Sequence, residues 1–394
     1  MLFRRKKKGF RLKPQLGMLY LVGLIISFSS ALPAYVNSNF ISQFTDISFV
    51  SLFFVIANLA TLLFILAFPQ TIKRFGNHNT FKLLLFLYSA SLFFFAVANS
   101  AITALIGIVF FIVFLNLVFI KLDLFIEVFT KNADTGKVRA LYLTVCNLGW
   151  VLAPTFSGYL ISSFGYSFVY WLSGSIIIPT LIFFLIISPR LTSKVKYAED
   201  GMKKVLKKMW RSKNLRGIFF VALILQLFYA TAVVYIPLYL HQNLGMSWET
   251  LGPIFSFMLI PFILFQIPAG FLADKYFGEK EMLYIGLSIL TIALVGVFYL
   301  NQPVAWLWAG LLFFSRIGAA LVEAMRESYF FKIVSAKDLN MINLFRLTGP
   351  AAYIIGPGLA ILITAFFPIH FIFLFSAILT ASGIIMVWPM KDTL

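Results

Sequence analysis

LLFFSRIGAALVEAMRESYFF, residues 311–331, reads as a helix made for lipid with an arginine set near its middle. At 1.5 Å per residue such a run spans about 30 Å, the thickness of a bilayer's hydrocarbon core. Arg316, Glu323, Arg326 and Glu327 interrupt an otherwise apolar pattern. A charge at the bilayer centre costs at least about 2.5 kcal/mol, and is carried where it is paired or faces a water-filled cavity. What surrounds the stretch therefore decides what Arg316 is for.

Composition puts the whole chain in lipid. Of 394 residues 61% are hydrophobic and only 12% charged, with a mean hydropathy of +0.94. A soluble domain is nearer about 45–50% apolar and about 25% charged. The net charge of +18 comes in short clusters between apolar runs, which argues for a bilayer rather than nucleic acid as partner. Cys146 stands alone in an apolar run, so an internal disulfide framework and a cysteine metal site are excluded. His78, His241 and His370 lack metal-site spacing, and there is no G-x-x-x-x-G-K-[ST] phosphate loop or nucleophile–base motif. We expect no cofactor, no bound metal and no enzymatic chemistry.

Twelve apolar runs are long enough to cross a bilayer, at roughly 16–36, 47–69, 81–98, 101–130, 138–163, 166–189, 215–240, 249–272, 282–301, 303–331, 339–364 and 367–389. They are numbered helices 1–12 below. Arg4, Arg5, Lys6, Lys7, Lys8, Arg11 and Lys13 precede the first, and the other basic residues follow the even-numbered helices, lie near their ends, or stand at the C-terminus. The loops 37–46 and 241–250 contain no Lys or Arg. The positive-inside rule then predicts cytoplasmic termini and a multi-pass protein of the plasma, or bacterial inner, membrane. SSALPA (29–34) imitates a signal-peptide cleavage site, but Pro33 has a counterpart in helix 7, so the first run reads as a retained helix. Between helices 6 and 7, Met202, Val205, Leu206, Met209 and Trp210 recur at helical spacing against Lys203, Lys204, Lys207, Lys208 and Arg211. That pattern predicts a basic amphipathic helix on the inner leaflet, or a solvated linker.

The chain repeats itself at an offset of about 200 residues. LPAYVNSNF (32–40) matches IPLYLHQNL (236–244), KRFG (73–76) falls against KYFG (275–278), and VLAP (151–154) falls against IIGP (354–357). Asp123 and Glu127 sit opposite Glu323 and Glu327. We expect an all-α membrane protein of two pseudo-symmetric six-helix bundles: residues 1–190, a linker 191–214, and residues 215–394. Parallel repeats of this kind are a transporter architecture.

On these residues the chain resembles the major facilitator superfamily over essentially its full length. GFLADKYFGEK (270–280) resembles the superfamily's loop signature G-x-L-A-D-[RK]-x-G-[RK]-[RK], with one extra residue before Gly278 and Glu279 where a base is usual. The first-half copy, FPQTIKRFGNHN (68–79), has Ile72 or Lys73 at the acidic position. GWVLAPTFSG (149–158) is similar to the helix 5 pattern of proton-coupled drug exporters, with Ala153 and Ser157 replacing two glycines. The resemblance implies a cavity lined by helices 1, 4, 7 and 10. It implies gating roles for Gly270 (helix contact), Asp274, Lys275, Gly278 (turn) and Lys280. Asp274 would meet the N-terminal end of helix 5 and Arg326 of helix 10. Gly149, Pro154 and Gly158, with Gly356 and Pro357 opposite, are expected to pack helices closely.

Arg316 lies about 21 Å from the end of its helix, too deep to snorkel. Positions 312, 313, 319 and 320 offer no local acid, Glu323 is two turns away, and its repeat counterpart is Asn116. Either Arg316 faces the cavity and attracts an anionic group on a solute, or it is held structurally, by the carbonyls of a broken helix or by Asp123 or Glu323. Gln226, Tyr229, Ser27 and Ser30 are further candidate polar contacts. Lys121 is shallower and expected to snorkel. Glu323, Asp123 and Glu127 are the candidates for proton coupling. The favoured expectation is a monomeric secondary transporter, working by alternating access, that exports a small amphipathic or drug-like solute. The runner-up carries a small organic anion at Arg316. A non-transporting sensor or assembly protein is the alternative of another class.

Overall fold

A computed structural model describes residues 14–129, 135–187, 202–334 and 339–391. Among them there is no strand, as lipid requires of a chain that must satisfy its backbone polar groups within each span. The twelve helices begin with Pro14–Ala34, Ile47–Phe75, Asn77–Ala96, Ala101–Phe129, Thr135–Phe164, Tyr166–Ile187 and Lys213–Leu238 as helices 1–7, and end with Phe371–Val387 as helix 12. Helix 8 is broken into Trp248–Leu259, Pro261–Leu264 and Gln266–Leu272, helices 9 and 10 are Gly278–Tyr299 and Ala305–Ile333, and helix 11 is Leu339–Arg346 followed by Thr348–Phe366. Nine stretches of the described residues are long and apolar enough to cross a membrane. One of them, Trp248–Tyr299, holds both helices 8 and 9.

Neighbours repeat with a shift of six helices. Helix 1 packs on helices 5 and 6, helix 3 on 4 and 6, and helix 2 on 4. Correspondingly, helix 7 packs on helices 11 and 12, helix 9 on 10 and 12, and helix 8 on 10. The halves meet along two symmetric seams, helix 2 against 11 and helix 5 against 8. The boundary expected at 190–191 lies outside the described residues.

The loop signature explains one irregularity. Gly76 and Gly278, equivalent in the repeat, end their helices at φ +75° and +82°, a conformation that glycine alone adopts without steric cost. In the second copy Ala273–Phe277 form a π-helical turn before Gly278. A π turn takes up one additional residue, which accounts for the extra position noticed in the sequence. Gly270, expected at a helix contact, corrects differently. Among the described residues a Cβ built there meets nothing within 4 Å, so none of them approaches it closely in this conformation.

Candidate solute site and gates

Arg316 sits near the middle of helix 10 and is 1% exposed. Its guanidinium lies 4.8 Å from the centroid of the Phe228 ring in helix 7, and Nη1 donates to Ser315 Oγ at 3.3 Å. It acts electrostatically on three tyrosines: Tyr35 beyond the end of helix 1, Tyr229 in helix 7 and Tyr353 in helix 11. The surroundings thus come from both halves. Tyr35 also stacks on Phe255 of helix 8 at 5.0 Å. Among the described residues Arg316 makes no ion pair. A cation over an aromatic face gains about 0.5–2 kcal/mol, less than the cost of an unpaired charge at this depth.

The acids that were candidates for pairing with Arg316 are engaged elsewhere. Glu323 lies 3.7 Å from Arg326 and accepts from Gln266 Nε2 at 3.0 Å. Glu327 holds Arg346 in a forked pair at 2.8 and 3.2 Å and lies 3.8 Å from Arg326. Asp123 of helix 4 acts across the halves on Arg346. Arg326 thus lies beside two acids of its own helix, while its Nε is buried without a hydrogen-bond partner among the described residues. The side chains of Asp274 and Glu127 lie outside the described residues. Glu279, buried where the superfamily signature carries a base, pairs with Lys332 and accepts from Ser328 at 3.0 Å. Lys275 lies over Phe271 and Tyr276, and Lys280 donates to the Trp388 carbonyl at 2.9 Å.

Of the other polar candidates, the Tyr229 hydroxyl alone joins the Arg316 group. It is buried without a hydrogen-bond partner among the described residues and is acted on by both Arg316 and Glu323. Asn116 donates to the Ile112 carbonyl of its own helix at 2.8 Å, and Ser30 to the Ser27 carbonyl at 3.0 Å. Ser27 Oγ is buried without a partner among the described residues. Gln226 is half-buried, and among the described residues no hydrogen bond joins it to Arg316. Lys121 corrects its expectation. It is 1% exposed and lies 5.3 Å from the Phe125 centroid, because its face of helix 4 is covered by protein, not lipid headgroups. Sequence reasoning missed Tyr35, Phe228, Tyr353 and Arg346. The alignment of Tyr35 with Tyr239 across the repeat was the one available signal.

Hydrogen bonds joining the halves gather at the end of the bundle that carries the Lys-free loops. Ser51 and Tyr235 hydroxyls meet at 2.7 Å, Trp248 Nε1 donates to Tyr166 at 2.6 Å, and Gln242 donates to Asn39 at 3.2 Å. Thr155 donates twice to Ser256, from its backbone N–H at 3.0 Å and its hydroxyl at 2.7 Å. The helix 5 motif builds this seam. A Cβ on Gly158 would collide with the Trp248 carbonyl and lie 3.1 Å from Gly252 Cα, and one on Gly252 would lie 2.7 Å from the Pro154 carbonyl. Gly149 makes the equivalent close approach to helix 1, where a Cβ would stand 2.8 Å from the Phe28 backbone nitrogen. Gly356, one residue before the buried Pro357, faces Ala230 and Leu227 at an ordinary 3.5 Å.

The sequence family model described as Major Facilitator Superfamily matches residues 18–325 and, in a second register, 249–393. The chain belongs to the major facilitator superfamily. The two overlapping matches cover most of the chain. No curated protein matches it. As a superfamily member it is an integral, multi-pass membrane transporter of small-molecule solutes.

Proposed function

We propose that this transporter is a secondary carrier, working by alternating access, for a small organic anion with an apolar or aromatic body. The observation that carries the reading is Arg316: buried, with its guanidinium over the Phe228 ring, electrostatically coupled to Tyr35, Tyr229 and Tyr353, and without an ion pair among the described residues. A bound carboxylate or phosphonate would supply the missing countercharge, and tyrosine hydroxyls would donate to its oxygens. The rings suit an amphipathic solute, so the exporter reading survives in the shape of the cargo. The helix 5 glycines support close packing and say nothing about direction. The test is a thermal-shift screen of small carboxylates and phosphonates on purified protein, followed by counterflow in proteoliposomes. Stabilising anions with counterflow support the carrier. Stabilisation without counterflow supports the sensor alternative.

We assign proton coupling to Glu323 ahead of Asp123 and Glu127, because it lies two turns from Arg316 on the same helix, 3.7 Å from Arg326 and accepting from Gln266 at 3.0 Å. Glu323→Gln is expected to retain solute counterflow while losing accumulation driven by a pH gradient. Loss of both, with normal folding, would make Glu323 part of the solute site instead.

The lysine distribution supports a plasma-membrane protein with both termini in the cytoplasm. In a Cys146→Ser background, cysteines at the exposed positions Gln43, Gln242 and Gln302 should react with an impermeant thiol reagent in right-side-out cells. Cysteines at the exposed Asn79 and Lys213 should react only after permeabilisation. The reverse pattern inverts the topology.

A further inference from the structure

The helix Met202–Arg211 joins the two halves in sequence and has two distinct faces. Val205 is 3% exposed and anchors the helix on the protein, where it packs on helix 7 and on Leu339–Arg346. Leu206 and Trp210 continue the same apolar arc but are turned outward, Trp210 being 54% exposed. The opposite arc carries Lys204, Lys207, Lys208 and Arg211, all exposed, at i, i+3, i+4 and i+7. Together with Ser212 they line a groove of about 470 Å³. So one helix presents a cationic groove immediately beside an outward-facing Leu and Trp.

We propose that this groove binds the headgroups of anionic phospholipids in the leaflet on the lysine-rich side. The juxtaposition fits a lipid and no soluble anion as well. Leu206 and Trp210 enter the headgroup–acyl boundary, as an amphipathic helix does at an interface, and so bring the four cations to phosphate depth. Each Lys or Arg near an anionic surface contributes about 1 kcal/mol, or about fivefold in binding. Because Val205 fixes the helix to helix 7 and to the segment that ends in Arg346, the site is part of the folded body, not a loose tail. Lys204 and Lys208 each have a further interaction. All four cations stay exposed.

The test uses the full chain reconstituted in phosphatidylcholine vesicles containing phosphatidylglycerol, with one of the two lipids brominated on its acyl chains. Trp210 fluorescence is obtained as the difference between the native chain and Trp210→Phe. Brominated phosphatidylglycerol should quench Trp210 with an apparent affinity at least about fivefold above that of brominated phosphatidylcholine. That preference should vanish in K204Q/K207Q/K208Q/R211Q and shrink in 0.5 M salt, where exposed charges are screened. Equal quenching by both lipids in the native chain overturns the proposal. So does a preference that survives both salt and the quadruple substitution. Inorganic phosphate at millimolar concentration should leave the preference unchanged, and competition by it would assign the groove to a soluble anion instead.

Discussion

Gly158→Leu is expected to abolish transport and to open the protein at its Lys-free end. At this position helices 5 and 8 cross backbone on backbone, and the three atoms nearest a new Cβ all belong to the main chain of Trp248 or Gly252. Main-chain atoms cannot rotate aside as a side chain can, so the helices must separate, and the Thr155–Ser256 hydrogen bonds must go with them. Overpacking a close-packed contact costs about 1–3 kcal/mol, and about 3 kcal/mol shifts a two-state equilibrium by about 150-fold. The closed state loses this and a state parted at the seam does not. Ser38 is 1% exposed in the closed state, so a cysteine there reports the change directly. Its labelling rate should rise by about two orders of magnitude in Gly158→Leu and less in Gly158→Ala. Unchanged labelling would mean that the seam does not open during transport.

Arg316→Gln should leave the unliganded protein as stable as the native chain, or make it more stable. This follows from the geometry, because the residue is buried and makes no ion pair among the described residues. Breaking a structural ion pair at such depth costs about 3–5 kcal/mol, which would lower the melting temperature sharply. Removing a charge that awaits a ligand instead relieves an unpaired burial. The same substitution should eliminate stabilisation by an anionic solute, worth about 2.7 kcal/mol at one hundred times Kd. Arg316→Lys should keep part of it, since lysine retains the charge but not the forked donor geometry. A destabilised Arg316→Gln whose stability returns with a second change at Asp123 or Glu323 would assign Arg316 to structure.

The fold was legible because its signals are long and redundant. Apolar runs, lysine clusters and the offset between LPAYVNSNF and IPLYLHQNL all point to the same architecture. The depth of Arg316 was legible too, because depth in a helix is a count along the chain. What a side chain meets across helices was not. Lys121 shows this well: its depth could be counted, but nothing local tells whether its face meets headgroups or Phe125. Arg346 read as one more basic residue near a loop, although it forms a forked pair with Glu327 of the preceding helix. The extra residue before Gly278 was visible as a misfit to the motif, and its consequence, a π turn, appears only in three dimensions. Tyr35 and Tyr353 come under the influence of Arg316 from opposite ends of the sequence, a coupling that needs the packed bundle.

The central claim is that Arg316 recognises the anionic group of the cargo, and a matched pair of ligands tests it most directly. The pair is a stabilising carboxylate found by the screen and its isosteric neutral amide, with affinities measured on the native chain, Arg316→Lys and Arg316→Gln. A charge-assisted hydrogen-bonded contact is worth about 1.5–3 kcal/mol, so the native chain should prefer the carboxylate by about 10- to 150-fold. Arg316→Gln should bind the two ligands equally, with its affinity for the amide close to the native value. A carboxylate preference that persists in Arg316→Gln, or an equal loss for both ligands, would contradict the account.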